Sequence, residues 1–265
     1  MKTLITGGAG FIGSHLTEAL LKEGHKVIVL DHISKQQAKN LAHLFKNKNF
    51  SFIKGDVMNR AALEKLIAKV DFIFHFAAAV GVKRVIEKPL DSLKLNVFGT
   101  QLILELAAKH KKKIMIASTS EIYGKSPKIP FEENDDRVTG PTTQSRWAYS
   151  DAKAIDEFFA LAYHREKGLQ VIIVRPFNVT GPRQVGSYGM VLPRFIEAAM
   201  KNEPLVIYGD GKQTRCFCHI KDAVRAFLLL AKNKRAFGEV FNVGNPRSTS
   251  IKDLAKKTIK LAGSR

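Results

Sequence analysis

Apolar residues follow two different periods along the first two thirds of the chain. Short continuous apolar runs predict buried strands over Lys2–Thr6, Lys26–Leu30, Phe50–Lys54, Asp71–Phe76, Lys113–Ala117 and Leu169–Arg175. Between them, apolar residues at helical spacing predict helices over Phe11–Lys22, Ala61–Lys69, Leu90–His110 and Trp147–Lys167. Apolar strands that alternate with amphipathic helices indicate an α/β fold, in which helices cover both faces of a doubly wound parallel sheet.

The pattern changes after Pro176, where glycine, proline and arginine become more frequent and the elements become shorter. The predicted elements of this part are a helix near Leu192–Lys201, a strand near Leu205–Tyr208, a helix near Asp222–Lys232, a strand near Val240–Val243 and a helix near Ile251–Leu261. We therefore predict a larger domain over residues 1–176 and a smaller lobe over residues 177–265.

Composition narrows the class of protein. The 265 residues are 45% hydrophobic with a mean hydropathy of −0.10, which is sufficient for a substantial core.

The apolar runs are shorter than the ~20 residues that a membrane span needs, so no membrane partner is expected. Met1–Thr6 leads into glycines without a signal-peptide segment, which predicts a cytoplasmic protein. Cys216 and Cys218 are too few for a disulfide framework and lack a second ligand pair for zinc, so no metal is expected.

The net charge of +19, from 43 Lys and Arg against 24 Asp and Glu, raises the question of a nucleic-acid partner. Most of the positive residues are lysines that stand singly. The one tight run, Lys109–Lys113, follows a predicted helix, where positive charge complements the helix dipole. We interpret the charge as a solvated lysine-rich surface and expect no nucleic-acid partner.

A glycine cluster, Thr6–Gly13, follows the first predicted strand and opens the first predicted helix. Gly7, Gly10 and Gly13 stand three residues apart, and Gly8 also completes the G-x-G-x-x-G pattern. In such loops one glycine makes the tight turn, one admits a pyrophosphate close to the backbone, and one lets the helix pack on the strand. The amides of Phe11 and Ile12 at the helix start would then face the phosphates. A P-loop is excluded because Ser14-His15 stands where Lys-Ser/Thr is required.

Residues at other strand ends belong to the same predicted cleft. Asp31 ends the second strand and is placed to accept hydrogen bonds from the ribose hydroxyls, which favours NAD over NADP. Asp56 and Val57 follow the third strand, where the adenine is expected. Ala77 and Ala78 follow the fourth strand and leave room for a flat cofactor.

Tyr149 and Lys153 stand four residues apart in a predicted helix, so their side chains share one face. A free tyrosine has a pKa near ~10, and a base that works near neutrality needs that pKa lowered by about 3 units, or roughly 4 kcal/mol. A neighbouring ammonium and a positive nicotinamide ring both stabilise the phenolate.

With these motifs the chain resembles the extended short-chain dehydrogenase/reductases, and within them the NAD-dependent epimerase/dehydratase family of nucleotide-sugar enzymes. The matching segments are Thr6–Gly13, Ser118–Gly124, Tyr149–Lys153, Arg175–Gln184 and Gly209–Arg215. The resemblance implies a Rossmann NAD-binding domain, a C-terminal substrate-binding lobe, NAD as the cofactor, a UDP-sugar as the most plausible substrate, and a homodimer formed through the helices Leu90–His110 and Trp147–Lys167.

The resemblance also implies roles for individual residues. Tyr149 would remove the proton of the sugar 4-hydroxyl while hydride leaves C4 for NAD, and Lys153 would hold the cofactor ribose and lower the tyrosine pKa. Thr119 would hydrogen-bond the 4-hydroxyl, and Ser120 and Glu121 would face the sugar.

Further positions match the cofactor and substrate contacts of the family. The cofactor-binding residues are predicted to be Gly7, Gly10, Phe11, Ile12, Gly13, Asp31, Asp56, Val57, Ala77, Ala78, Lys153 and Pro176. Asn178 and Arg215 would hold the nucleotide diphosphate, and Arg183 is a weaker candidate for the same role. Asn96 would support the site through backbone and water contacts, although a polar residue on a helix surface explains it equally well.

A ketone at C4 is shared by several reactions of the family, and its fate separates them. We favour 4-epimerisation of a UDP-sugar, as in UDP-glucose 4-epimerases, with decarboxylation of UDP-glucuronate close behind because Thr119-Ser120-Glu121 and a later arginine fit both. A 4,6-dehydratase is less favoured, since those enzymes carry Asp-Glu after the threonine. A non-catalytic NAD-binding scaffold is the alternative outside enzymes.

Two departures from the family affect these expectations. The chain ends at Gly263-Ser264-Arg265, where family members usually continue, so we expect the substrate lobe to be incomplete. Thr180 stands where the family often has tyrosine, which alters the expected contacts in the sugar pocket.

Overall fold

The computed structural model describes residues 1–79, 87–186 and 190–264. In chain order its strands are β1 (Lys2–Thr6), β2 (Lys26–Asp31), β3 (Phe50–Lys54), β4 (Phe72–His75), β5 (Lys113–Ala117), β6 (Val171–Pro176), β7 (Val179–Thr180), β8 (Thr214–Cys216), β9 (Cys218–His219), β10 (Val240–Val243) and β11 (Ser248–Ser250). Its α-helices are α1 (Phe11–Lys22), α2 (Arg60–Ile67), α3 (Pro89–Leu93), α4 (Gly99–Lys109), α5 (Ala148–Lys167), α6 (Val191–Met200), α7 (Ile220–Lys232) and α8 (Ile251–Ala262).

Seven parallel strands form the central sheet in the order β10-β6-β5-β4-β1-β2-β3. From β1 the chain first builds outward through β2 and β3, and then returns to place β4 on the opposite side of β1. Sheets of this type bind ligands beyond the carboxyl ends of their strands, where the order of strands reverses. The predicted doubly wound parallel sheet is confirmed, and its switch point lies between β1 and β4.

Local sequence determines where several helices begin and end. Asn59 caps α2 by accepting a hydrogen bond from the Ala62 amide, and Ser250 caps α8 by accepting one from the Asp253 amide. At its other end, α5 stops at Gly168, which takes the left-handed conformation. These caps satisfy backbone groups that a helix leaves unpaired and fix the length of each helix.

The hydrophobic core lies on both faces of the central sheet. On one face α1 and α7 contribute Leu16 and Phe227 to a large buried cluster. On the other face α2, α4 and α5 contribute Leu63, Leu106 and Ala160 to a second cluster. Because strands are apolar on both sides, each strand is held between two helical layers, as the continuous apolar runs predict.

The helix predicted over Leu90–His110 is interrupted. One turn of π-helix, Lys94–Phe98, separates α3 from α4. Such turns insert an extra residue into the helical path and re-aim the side chains they carry. Asn96 lies in this turn and is buried.

The C-terminal part differs from the prediction in its strands. The strand predicted near Leu205–Tyr208 is wrong. Leu205 and Ile207 face a small apolar cluster, whereas Val206 and Tyr208 are exposed, but in the described part of the chain no strand pairs with this extended segment. The short strands there pair β7 with β9 and β8 with β11.

The C-terminal part also contributes to the central sheet. β10 pairs with β6, with Val240 opposite Ile173, and α7 packs against the face that α1 covers. The division at residues 176 and 177 remains a prediction, because the two parts share one sheet. Over the residues that the structure describes, no helix combines the length and apolar character needed to cross a bilayer.

Candidate active site

The glycine loop between β1 and α1 is shaped by close backbone approaches. Gly7 has φ of +71°, and a Cβ at this position would lie 2.7 Å from the Ala77 backbone nitrogen. A Cβ on Gly13 would collide with the Gly7 carbonyl oxygen. Side chains at these two positions would therefore push the loop away from the end of β4 and α1 away from the loop.

The first turn of α1 is uncovered on the side that faces away from the contacts of Gly7 and Gly13. Among the described residues no side chain caps the helix, and its first amides, those of Phe11, Ile12 and Gly13, have no intrahelical partner. Of the atoms that the structure describes, only the Gly7 carbonyl oxygen, at 3.3 Å, lies near the position of a Cβ on Gly10. An open backbone at the positive end of a helix dipole fits a pyrophosphate, and the loop therefore fits a dinucleotide.

Asp31 connects the end of β2 to the glycine loop. Its Oδ2 accepts a hydrogen bond from the Ala9 amide at 3.0 Å, and the residue is 8% exposed. Its Oδ1 lies 3.2 Å from the Nδ1 atom of His32. The Ile33 amide also donates to Oδ1 at 3.4 Å. A carboxylate has about four acceptor sites, so these contacts leave capacity for one ribose hydroxyl of the cofactor predicted to bind here.

The remaining predicted cofactor contacts follow other strands of the sheet. Asp56 is exposed after β3, whereas Val57 is buried against α4. Ala77 and Ala78 are half-buried after β4, and Pro176 ends β6. The structure thus places these residues at the carboxyl ends of three strands, and their contact with the cofactor remains a prediction.

Asn96 fixes the backbone that follows β4. Its Oδ1 accepts a hydrogen bond from the Ala79 amide at 2.8 Å, and its Nδ2 donates to the Ala79 carbonyl oxygen at 3.2 Å. The π-helical turn directs this side chain at the loop, so an irregularity that the sequence pattern did not predict supports one wall of the cleft.

Tyr149 and Lys153 lie on the first turns of α5, on one face of the helix, as predicted. Lys153 is 2% exposed, and its Nζ donates a hydrogen bond to Asp156 Oδ2 at 2.7 Å. Tyr149 is partly exposed. The two predicted residues therefore differ: Tyr149 reaches the cleft surface, and Lys153 lies in the interior behind it.

The surroundings of Tyr149 favour the neutral phenol. Burial raises its pKa, the negative charges of Glu121 and Asp156 raise it further, and a hydrogen bond with the Thr119 hydroxyl lowers it. Thr119, Glu121 and Tyr149 therefore lie together. Tyr149 can act as a base near neutrality only if a positive charge nearby lowers the pKa of its phenol. The positively charged nicotinamide ring of NAD would supply such a charge.

Glu121 lies on a short 3-10 turn, Ser120–Tyr123, that follows β5. The Ser150 hydroxyl donates a hydrogen bond to the Glu121 carbonyl oxygen at 2.9 Å, which ties this turn to α5. Water reaches Glu121, but the surrounding protein raises the pKa of its carboxyl, and the charge of Arg146 opposes that rise. Ser120 is partly exposed at the start of the turn.

A buried histidine behind the site is a feature that the sequence analysis missed. His75, the last residue of β4, has its Nδ1 2.7 Å from the Thr6 hydroxyl and its Nε2 3.1 Å from the Thr100 hydroxyl. Burial, together with the positive charge of Lys153, lowers the pKa of His75 to about 3. The ring is therefore neutral.

A second missed group surrounds Arg175 at the end of β6. Its guanidinium donates to both carboxylate oxygens of Glu157, at 2.9 and 2.6 Å, and all three side-chain nitrogens are engaged. Its Nη1 also donates to the Tyr123 hydroxyl at 2.7 Å, which in turn donates to Asn242 Oδ1 at 2.7 Å. This network connects α5, the turn after β5 and β10.

The three predicted substrate contacts lie in different surroundings. Arg183 donates to Ser14 at 3.2 Å and to Glu18 at 2.5 Å, so it sits against α1, close to the cofactor loop. Asn178 Nδ2 donates to the Cys216 carbonyl oxygen at 3.0 Å, and Arg215 is exposed and donates to the carbonyl oxygen of its preceding residue. Their binding of a diphosphate remains a prediction.

His75 and Arg175 share one property that explains why the sequence analysis missed them: their hydrogen-bond partners are distant in sequence. His75 is 25 residues from Thr100, and Arg175 is 18 residues from Glu157. A signal was available only for Asp156, which follows Lys153 by three residues and therefore shares its helix face.

Comparison with known proteins identifies the family. Residues 3–244 match the model of the NAD dependent epimerase/dehydratase family. The chain is 43% identical to the UDP-N-acetyl-alpha-D-glucosaminuronate decarboxylase of Bacillus cytotoxicus, over 99% of this chain and 81% of the relative. It is 36% identical to UDP-glucuronic acid decarboxylase 1 of Arabidopsis thaliana, over 97% of this chain but only 57% of that relative.

A solved structure has the same architecture. UDP-glucuronic acid 4-epimerase from Bacillus cereus, in complex with UDP-glucuronic acid and NAD, superposes with a TM-score of 0.90 and 33% identity, over 100% of this chain and 84% of that one. The glycine loop, the Tyr149/Lys153 helix and these similarities lead to one conclusion: the chain belongs to the NAD dependent epimerase/dehydratase family, and its cofactor is NAD.

Proposed function

We propose that the protein removes carbon dioxide from a UDP-hexuronate through a transient ketone at C4. One observation carries the proposal: a carboxyl with a raised pKa, Glu121, lies beside the Thr119/Tyr149 pair that would oxidise C4. The decarboxylase relatives from Bacillus cytotoxicus and Arabidopsis thaliana support the choice of substrate. These relatives are the reason that we propose this reaction ahead of 4-epimerisation, which the sequence alone favours.

The reaction begins at the sugar 4-hydroxyl. Tyr149, as the phenolate, accepts the hydroxyl proton, while Thr119 donates a hydrogen bond to the oxygen that becomes the ketone. NAD, when bound, supplies the acceptor and later the donor of the C4 hydride. Lys153 holds the cofactor ribose and stabilises the phenolate by its charge.

The ketone makes loss of carbon dioxide possible because the C6 carboxylate is β to it. The C5–C6 bond breaks, carbon dioxide leaves, and the bonding electron pair remains on C5 and the C4 oxygen as an enolate. Glu121 gives a proton to C5, and the burial that raises the pKa of its carboxyl favours the protonated form that this step needs. When C4 is reduced again, Tyr149 returns its proton to the C4 oxygen.

A 4-epimerase is the second candidate, supported by the structural similarity to UDP-glucuronic acid 4-epimerase. It needs the same C4 oxidation by Tyr149 and Thr119, but hydride returns to the other face of the ketone and no proton is required at C5. An acid beside the reacting groups therefore favours decarboxylation over epimerisation.

Mass spectrometry of products distinguishes these reactions. The NAD-loaded protein is incubated with UDP-glucuronate, UDP-N-acetylglucosaminuronate, UDP-glucose and dTDP-glucose. We expect a product lighter by one carbon dioxide from a UDP-hexuronate and no conversion of the neutral sugars. A product of unchanged mass indicates epimerisation and one lighter by water indicates dehydration, and either result as the only activity rejects the proposal.

The variant Tyr149→Phe tests the base. Loss of a general base costs about 10²- to 10⁴-fold in turnover, and we expect that loss with NAD binding retained in calorimetry. Tyr163→Phe, the same change on the same helix, is the control and should leave turnover intact. Turnover of Tyr149→Phe at the original rate would show that another group takes the proton.

A further inference from the structure

The interior behind Tyr149 contains a buried ion pair within a single helix. Lys153 and Asp156 are one turn apart on α5, 2% and 0% exposed, and joined by the 2.7 Å hydrogen bond from Nζ to Oδ2. The resemblance to the family assigns a role to the lysine and none to this carboxylate.

Stability does not account for a carboxylate at this position. Burying two charges costs more than their attraction commonly returns, and apolar replacements of such pairs are often neutral or stabilising. Burial raises the pKa of Asp156, which shows that the interior resists its charge, and Lys153 opposes that effect. The surrounding helix positions are occupied by Ala152, Ala154 and Ala160, so a small apolar residue would fit the same environment.

A chain of hydrogen bonds leads from the loop after β4 to Thr100, which lies beside this pair. The Ala77 amide donates to the Thr6 hydroxyl at 3.3 Å, and this hydroxyl shares a 2.7 Å hydrogen bond with Nδ1 of the neutral His75 ring. The Nε2 atom of the ring shares a 3.1 Å hydrogen bond with the Thr100 hydroxyl. Thr100 in turn lowers the pKa of Asp156, although Oδ1 of this residue has no partner at hydrogen-bonding geometry within the described ranges.

The two charged groups that act on Tyr149 lie on two elements. Glu121 on the turn after β5 and Asp156 on α5 both raise its pKa. His75 on β4 is neutral, and Arg146 acts on Glu121 from the turn before α5. Asp156 is therefore a buried negative charge that acts on the reacting phenol and also pairs with Lys153.

We propose that Asp156 is a positioning residue of the reaction: it holds the Lys153 ammonium in the interior and sets the electrostatic potential that Lys153 presents to Tyr149 and to the cofactor ribose. The proposal rests on the proposed role of Tyr149 as the base, but not on which nucleotide sugar is used. The Asp156 carboxylate fixes the position of Lys153 and partly balances its charge. Tyr149 would therefore keep its proton in the absence of the positively charged nicotinamide ring of NAD.

The experiment is a titration of the Tyr149 phenol in Asp156→Asn. The amide keeps the size of the side chain and an oxygen acceptor for Lys153, so it removes the charge and not the contact. Ultraviolet difference absorbance between each protein and its Tyr149→Phe counterpart isolates one phenol, in the NAD-bound state. We expect the Tyr149 transition of Asp156→Asn to fall by roughly 0.5–1 pH unit, because a negative charge that raises it is gone.

Controls separate this effect from loss of fold and from failure of the proposed reaction. Asp151→Asn removes the same charge from a solvent-facing position of α5, paired with Arg137, and should leave the transition in place. If a nucleotide sugar is turned over, the acid limb of its kcat/KM profile should move by the same amount. An unchanged or raised transition in Asp156→Asn overturns the proposal, even if decarboxylation is confirmed; a lowered one supports it, even if no decarboxylation is found.

If Asp156→Asn does not fold, Asp156→Ser in the same titration provides the second test. It replaces the carboxylate by a smaller neutral group and should lower the transition likewise. An unshifted transition in this variant overturns the proposal as well.

Discussion

Adjacent residues of one helix, Asp156 and Glu157, form two buried ion pairs of different kinds. Glu157 meets Arg175 through both oxygens, and the third nitrogen of the guanidinium is held by Tyr123. Asp156 meets Lys153 through one oxygen, and its other oxygen has no hydrogen-bond partner among the residues that the structure describes. We call the Glu157/Arg175 pair closed, because both carboxylate oxygens and all three guanidinium nitrogens have partners. We call the Asp156/Lys153 pair open, because one carboxylate oxygen and the ammonium can each take a further hydrogen bond.

On the proposal for Asp156, this difference separates a structural ion pair from one that acts in the reaction. A planar guanidinium that satisfies two carboxylate oxygens holds its elements in one arrangement. A lysine has three donors, so Lys153 can hold Asp156 and still donate to ribose hydroxyls. A substitution in the closed pair should therefore lower the free energy of unfolding. A substitution in the open pair should change the pKa of Tyr149 and the rate of turnover.

Glu157→Gln should have the largest effect on stability. It leaves the buried Arg175 guanidinium without its counter-charge, which costs about 3–5 kcal/mol. Denaturant unfolding measures this loss, with Asp156→Asn as the matched change one residue earlier. Should Asp156→Asn be the more destabilised of the two, the closed pair would not be the structural one.

Acid should lower the free energy of unfolding through His75, which lies behind the Lys153/Asp156 pair. Its pKa is about 3 in the folded protein and near 6.5 when unfolded, so the unfolded chain binds the proton first as pH falls. The stabilisation is therefore complete above pH ~6.5 and is lost towards pH ~3, by roughly 2 kcal/mol between pH 6.5 and 5. His75→Gln removes this titration, so its denaturant stability should fall less over the same range. Equal losses in both proteins would contradict a buried neutral imidazole.

Tyr123→Phe should have the smallest effect. It removes a hydroxyl that accepts from Arg175 and donates to Asn242, while the guanidinium keeps Glu157 and the Glu133 carbonyl oxygen. We expect a loss of about 1–2 kcal/mol in denaturant unfolding, with turnover unchanged. Tyr208→Phe, at an exposed tyrosine, is the control and should be neutral. A comparable loss in the control would show that burial of the Tyr123 hydroxyl is not the cause of the lost stability.

The sequence predicts those parts of the site in which chemistry is local. The glycine loop, Asp31 and the Tyr149/Lys153 spacing lie within short segments whose period and turn chemistry are visible. His75 and the Arg175 network depend on which strand lies beside which helix, and Tyr123 meets Asn242 across 119 residues. Leu205–Tyr208 shows the opposite failure: a short apolar run predicts a strand, but a strand also needs a neighbouring strand to share its hydrogen bonds.

The position of β10 has a consequence for the order of folding during synthesis. Its partner β6 is made some 70 residues earlier, since Val240 pairs with Ile173. Until Val243 has left the ribosome, β6 is an open edge of the nascent sheet with the apolar run Val171–Val174 along it. The growing chain is thus most exposed to wrong strand pairing after its cofactor loop and Tyr149 helix have been made, and β10 ends that exposure.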